Sequence, residues 1–175
     1  MSKILVTYST TDGHTRKICE RIKVVVEALG HEAELRPIND EGNVDLEAFD
    51  KIVVGASIRY GKHRPPVYDF VRKNRMILDR RPTAFFSVNV VARKPEKSQP
   101  ETNPYLKKFL KQLSWQPHEI AVFAGKIDYS RYKFWDRQII RFIMWTTHGP
   151  THPNAVVDFT AWPSVDDFGR VIAKM

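Results

Sequence analysis

The sequence predicts an α/β fold: a doubly wound, five-stranded parallel sheet in the order 2-1-3-4-5, with an insertion at or within the last strand. Three observations predict it. Short β-branched or all-apolar runs alternate with segments whose apolar residues recur at helical spacing. The central runs "KIVVGAS" and "TAFFSVNVVA" are nearly continuous in apolar residues, as strands covered on both faces are. The alternation then breaks after Gly125, where Lys126–Pro153 fits neither a tight turn nor an ordinary connecting helix.

Lys3–Ser9 is the first strand, rich in β-branched residues. Ile18, Ile22, Val25 and Leu29 follow at helical spacing, and Gly30 stops that helix. His31–Ile38 alternates weakly and carries Pro37 near its end, which marks an edge strand. Lys51–Ser57 is a central strand. A helix from Pro66 to Leu78 turns Val67, Phe70, Val71 and Ile77 inward. Thr83–Ala92 is another buried strand, Tyr105, Phe109 and Leu113 mark a helix, and Glu119–Ile127 is the fifth strand. Lys126–Pro153 is the insertion, within one domain spanning residues 1–175. Ala155–Trp162 resumes strand character, and a helix from about Ser164 to Ala173 follows, with Val165, Phe168, Val171 and Ile172 facing in.

The net charge of +8 favours anionic partners: nucleic acid, a membrane surface or an acidic small molecule. Charge alone does not choose among them. The single cysteine, Cys19, excludes an internal disulfide and a cysteine-built metal site, and fits a reducing, cytosolic compartment. Its place among core positions reads as a buried, inert thiol. His148 and His152 lie four apart, but Gly149, Pro150 and Pro153 keep them off a shared helix face, so no metal is expected. "MSKILVTYST" turns polar too soon for a secretory signal, and no apolar run approaches the roughly 18 residues that span a bilayer. The chain reads as soluble or resting on a membrane.

Ligands of open α/β sheets bind beyond the carboxyl ends of the strands. Three loops stand there. The first, Ser9–Thr15, offers the hydroxyls of Ser9, Thr10, Thr11 and Thr15 and the backbone N–H groups of a following helix, a setting for a phosphate. Neither GxxxxGK[ST] nor GxGxxG is present. Taken alone, the cluster fits a helix cap by Asp12 or Thr15 somewhat better than a cofactor loop. The second loop is "GASIRYGKHRP" (Gly55–Pro65) and the third "VNVVARKP", which carries Asn89 and Arg93.

Together these three loops resemble the flavodoxin family. The resemblance implies that Ser9, Thr10, Thr11, Asp12, Gly13, His14 and Thr15 hold the phosphate of FMN. It implies that Ser57, Ile58, Arg59, Tyr60, Gly61, Asn89, Val90, Val91, Ala92 and Arg93 flank the isoalloxazine ring. Asp12 is one residue more than the usual flavodoxin loop contains. A narrower likeness, in "YSTTDGHTR", "GASIRYGKHRP", "SVNVVARKPEKSQPETNPY" and "YSRYKFWDRQIIRFIMW", runs over nearly the whole chain. These segments resemble the bacterial menaquinone-dependent protoporphyrinogen IX dehydrogenases, flavodoxin-like enzymes of haem synthesis. That family implies oxidation of protoporphyrinogen IX to protoporphyrin IX by three two-electron transfers through FMN to menaquinone or ubiquinone. It also implies a peripheral position on the cytoplasmic face of the inner membrane.

The porphyrinogen carries propionates, and arginine pairs with carboxylates bidentately, so Arg59, Arg93 and Lys94 are the candidate substrate contacts. The competing reading is a solvated basic face. Tyr60 is placed to stack on the ring, Tyr8 to pack in the core, and His63 is a candidate for proton transfer. In the insertion, Trp135, Ile139, Phe142 and Ile143 fall on one helical face and Lys133, Arg137 and Arg141 on another, with Ile140 and Met144 widening the apolar side. Such a helix suits a membrane surface or a quinone; the alternative is a helix packed on its own domain. Rival functions are a flavodoxin-like electron carrier and an NAD(P)H:quinone reductase. A nucleic-acid binder has only the charge in its favour, and no nucleic acid is expected as a partner.

Overall fold

A computed structural model describes residues 1–39 and 44–175. Five parallel strands form the sheet, in the order β2 (Glu32–Pro37), β1 (Lys3–Ser9), β3 (Lys51–Arg59), β5 (Thr83–Asn89), β6 (Glu119–Ala124). A two-residue strand, β4 (Lys62–His63), pairs antiparallel with the end of β3. Flavodoxin-like connectivity follows from this order. Alternate residues of each central strand enter opposite cores, as the period of two requires. Ile4 and Val6 meet α1 (His14–Ala28) and α6 (Trp162–Lys174) on one face. Leu5, Ile52 and Val54 meet α2 (Pro65–Lys73), α3 (Arg75–Arg80) and α4 (Pro104–Leu113) on the other. Gly55 is where the sheet admits Phe86: a Cβ there would lie 2.2 Å from the Phe86 ring.

Five elements differ from the sequence reading. The helix expected over Pro66–Leu78 is two helices, because Asn74 ends α2 and its side-chain amide donates to the Phe70 carbonyl at 2.8 Å. The strand expected to reach Ala92 stops at Asn89, whose Oδ1 accepts from the Ala92 N–H at 3.1 Å and turns Val90–Arg93 into a 3-10 helix. The fifth strand ends at Ala124. Beyond Gly125 the chain leaves the sheet, and β7 (Lys126–Asp128) pairs antiparallel with β8 (Val156–Asp158), all that remains of the strand expected over Ala155–Trp162. In α6, Val165, Phe168 and Ile172 are buried, but Val171 is exposed.

The β7–β8 pair closes the base of the insertion at the end of β6. From it rises α5 (Phe134–Thr146), seated by Met144 and Ile140 on Ile127, Tyr129 and Tyr132. Among the described residues no helix is long and apolar enough to cross a membrane.

Candidate functional site

The carboxyl ends of β1, β3 and β5 open under α5 onto a cavity of about 200 Å³. Its two ends differ in chemistry. At one end stand Thr10, Thr11, Asp12, His14, Thr15 and Ser57. Gly13, the residue before α1, sits at φ 83°, and no side chain caps the helix. Neither Asp12 nor Thr15 plays the capping role that the sequence allowed; the Thr10 hydroxyl instead accepts from the Gly13 N–H at 3.0 Å. No acidic residue occupies the first turn of α1, whose positive dipole end favours an anion there.

Three polar atoms around this end are buried without a hydrogen-bond partner among the described residues: Thr15 Oγ1, Ser57 Oγ and His14 Nδ1. Folded proteins pair such atoms almost always, since leaving one unpaired costs about 1–3 kcal/mol. Three together, at an uncapped helix start, fit an oxygen-rich anion such as a phosphate.

The other end is apolar. Ile58, Tyr60 and Gly61 from the β3–β4 turn, Val90 and Val91 from the 3-10 helix, and Tyr105 from α4 form its sides. Ile139, Ile140, Ile143 and Met144 form a ceiling from α5. The β3–β4 loop is two residues long, with Tyr60 at φ 51° and Gly61 at φ 76°. Positive φ at both central positions is the type I′ hairpin geometry. Glycine adopts it freely, whereas an aromatic residue does so rarely. The turn presents Tyr60 at the cavity edge, 62 % exposed.

A polar clasp holds α5 over the opening. Asp136 accepts from Arg59 Nη2 at 2.7 Å and from the Tyr60 hydroxyl. The hydrogen bond from Tyr60, then Arg59, hold the Asp136 carboxyl below its usual range despite some desolvation. Arg59 also lies 3.5 Å from Asp12 Oδ2, and its guanidinium sits 5.5 Å from the Tyr60 ring and 5.6 Å from the Tyr132 ring. Arg131 donates to the Asp12 carbonyl at 3.0 Å, and Arg64 to the Thr10 carbonyl at 3.2 Å. Asp12, the residue that lengthens the first loop, is thus the link between that loop and the insertion.

The structure brings most of the sequence-selected residues together and leaves some aside. Thr10, Thr11, Asp12, His14, Thr15, Ser57, Ile58, Arg59, Tyr60, Gly61, Asn89, Val90 and Val91 line the cavity. Ser9, Gly13, Ala92, Arg93 and Lys94 lie outside its lining. Arg93 turns away: it donates to the Val90 carbonyl and to the Thr147 carbonyl and hydroxyl, at 3.2, 3.0 and 2.8 Å, and holds the end of α5. His63, the second residue of β4, is buried against Ser87 and Phe109, and burial pushes its pKa down to about 3. It stays neutral and carries no proton to this cavity.

On α5, Trp135, Phe142, Ile139 and Ile143 are 75, 64, 46 and 42 % exposed. Ile140 and Met144, grouped with them by the sequence, face the domain instead. Arg137 and Arg141 bend back onto the insertion's own carbonyls, at Tyr132 and Thr151. Sequence reasoning missed Tyr105, Arg131, Tyr132 and Asp136. Of these, only Asp136 had a signal, a lone acid in an otherwise apolar and basic helix.

Comparison with known proteins agrees with this architecture. A family model described as a flavodoxin domain matches residues 5–154. The protein named protoporphyrinogen IX dehydrogenase [quinone] from Escherichia coli (strain K12) is 40% identical over 173 residues, covering 99% of this chain and 96% of that protein. The protein of the same name from Leishmania major is 40% identical over 177 residues, covering 99% and 75%. Among solved structures, oxidised flavodoxin 1 from Bacillus cereus superposes with a TM-score of 0.57 at 17% identity, covering 99% of this chain and 98% of that one. Two-electron reduced Megasphaera elsdenii flavodoxin does so with 0.60 at 13%, covering 98% and 99%. These two establish the fold alone. A flavodoxin domain implies a flavin cofactor, and the donor set at the start of α1 suits a flavin that carries a phosphate. The chain belongs to the flavodoxin-domain family, within the group of flavodoxin-like oxidoreductases that includes the quinone-linked protoporphyrinogen IX dehydrogenases.

Proposed function

We propose that this chain is an FMN-dependent dehydrogenase of haem biosynthesis, which oxidises protoporphyrinogen IX to protoporphyrin IX and delivers the electrons to menaquinone or ubiquinone. It works peripherally, at the cytoplasmic face of the inner membrane. The observation that carries this reading is the two-ended cavity: unpartnered hydroxyls at the α1 start and an apolar ceiling from α5. The name shared by the 40%-identical relatives supports the choice of substrate and acceptor.

Thr15, Ser57 and the first-turn N–H groups of α1 would hold the phosphate, with Ile58, Tyr60, Gly61, Asn89, Val90 and Val91 flanking the ring. When bound, the flavin supplies reversible acceptance of two electrons. The chain supplies placement and cover. Ile139, Ile140, Ile143 and Met144 keep water from the space under α5. Ile139 and Ile143 belong both to that ceiling and to the exposed face bearing Trp135 and Phe142. An apolar path therefore runs from the outer surface to the cavity, which suits a quinone arriving from a bilayer. Lys133 and the net charge of +8 favour an anionic headgroup surface. Arg59 would reach a substrate propionate by giving up Asp12 or Asp136, so substrate would loosen the clasp as it enters.

Purified protein loaded with FMN should convert protoporphyrinogen IX to fluorescent protoporphyrin under anaerobic conditions once a menaquinone analogue is added. A rate no higher than that of the flavin-free blank contradicts the proposal.

A further inference from the structure

The first turn of α1 carries a histidine whose contacts fix its tautomer. The Thr160 hydroxyl donates to the Ala124 carbonyl at 2.8 Å. Its proton is thereby used, so toward His14 Nε2, 2.7 Å away, its oxygen accepts. Neutral His14 therefore carries its hydrogen on Nε2 and a lone pair on Nδ1. The ring is wedged edge-on against Trp162, with centroids 5.9 Å apart. Nδ1 is buried and has no partner among the described residues. His14 lines the cavity at the uncapped start of α1, as does the next residue, fully buried Thr15, whose Oγ1 is equally unpartnered. A lone pair is the wrong complement for the anion that this end of the cavity suits. One proton on Nδ1 corrects it.

We propose that His14 anchors the flavin phosphate in a proton-coupled way: Nδ1 takes a proton from solvent as the phosphate binds, and the resulting imidazolium donates from Nδ1 to a phosphate oxygen while Nε2–H stays on Thr160. This rests on the reading of the α1 start as the phosphate end of the cavity. The surrounding charges are poised for the change. Burial is the main influence and holds His14 below its usual pKa. Asp158 of β8, 3.6 Å from Nε2, pulls the other way, while Lys126 of β7 and Lys17 of α1 add to the lowering. The ring is thus neutral at about pH 7 until a dianion arrives.

The test is FMN binding to the apoprotein by calorimetry in two buffers of different protonation enthalpy, at about pH 7.5, where a free phosphomonoester is largely dianionic. The wild type should take up about one proton per FMN bound, and none with riboflavin, which lacks the phosphate. H14N keeps an amide donor near the Nδ1 position but cannot titrate; it should bind FMN without proton uptake. Wild-type affinity should weaken by up to about tenfold per pH unit as pH rises through the window between the free and bound pKa values of His14, and H14N should show no such slope. Equal uptake in H14N overturns the proposal, as does no uptake in a wild type that binds FMN more tightly than riboflavin. FMN binding no tighter than riboflavin overturns the phosphate site itself. Should H14N fail to fold, the His14 ring is titrated by NMR in wild-type protein. A pKa above about 6.5 with FMN bound supports the coupling, and an unmoved ring overturns it.

Discussion

Thr15 and Ser57 bury hydroxyls with nothing in the described chain to bond, and this makes them the sharpest probes of the site. A Thr15→Val variant keeps the side-chain shape and removes the unpaired oxygen. It should leave the apoprotein unchanged or more stable by up to about 1 kcal/mol, yet bind FMN about tenfold more weakly. Chemical denaturation and a flavin-quenching titration check both halves; a variant that loses stability and keeps its affinity would place the hydroxyl in the fold instead. His63 makes a prediction about pH. Its folded pKa, about 3, lies below the ordinary 6.5, so the unfolded chain binds the proton first. Stability should therefore fall as pH drops from about 6.5 towards about 3, with His63 contributing about 4 kcal/mol at the low end. His63→Gln should lose less stability across that window in denaturant titrations; an unchanged slope would show that other groups carry it.

At the scale of elements, α5 is a helix with three jobs on its faces. Met144 and Ile140 seat it on β7 and the turn that follows, Ile139 and Ile143 roof the cavity, and Trp135 and Phe142 face outward. Because the outer residues add nothing to the core, Trp135→Ser with Phe142→Ser should leave the thermal midpoint and flavin content unmoved. It should cut co-sedimentation with anionic vesicles about tenfold or more. Vesicle binding equal to wild type would place membrane contact elsewhere. The clasp is a second element-scale device, joining the β3–β4 turn to the first turn of α5. Asp136→Asn removes its charge without changing its size. Trypsin should then cleave after Lys133 several-fold faster, with the thermal midpoint unchanged; equal cleavage rates would mean that the seating of Met144 alone holds the helix.

At the scale of the whole molecule, most of the sheet was legible because its signals are local. Apolar runs bounded by turn residues define β1, β3 and β5, and the alternation of strand with helix leaves few topologies. What escaped were endings set by single side chains. Asn74 and Asn89 stop their elements by bonding backbone groups three or four residues away, an effect that periodicity does not register. The polar half of the site was legible as a hydroxyl-rich loop at a strand end. Its apolar half depends on where the insertion folds, and that depends on contacts between Asp136, Arg59, Tyr60, Arg131 and Asp12, far apart in the chain. Arg93 shows the same limit: its charge suggested a ligand, but the fold uses it to hold α5. Asp12 read as an extra residue and proves to be the joint between loop and insertion.

The proposed function has one cavity take electrons from a porphyrinogen and yield them to a quinone. It is tested most directly by anaerobic mixing of the FMN-loaded protein with protoporphyrinogen IX while the visible flavin absorbance is followed. The flavin band should bleach, NAD(P)H should not bleach it, and a menaquinone analogue should then restore it. Bleaching by NAD(P)H but not by protoporphyrinogen IX would overturn this function and identify a reductase built on the same fold.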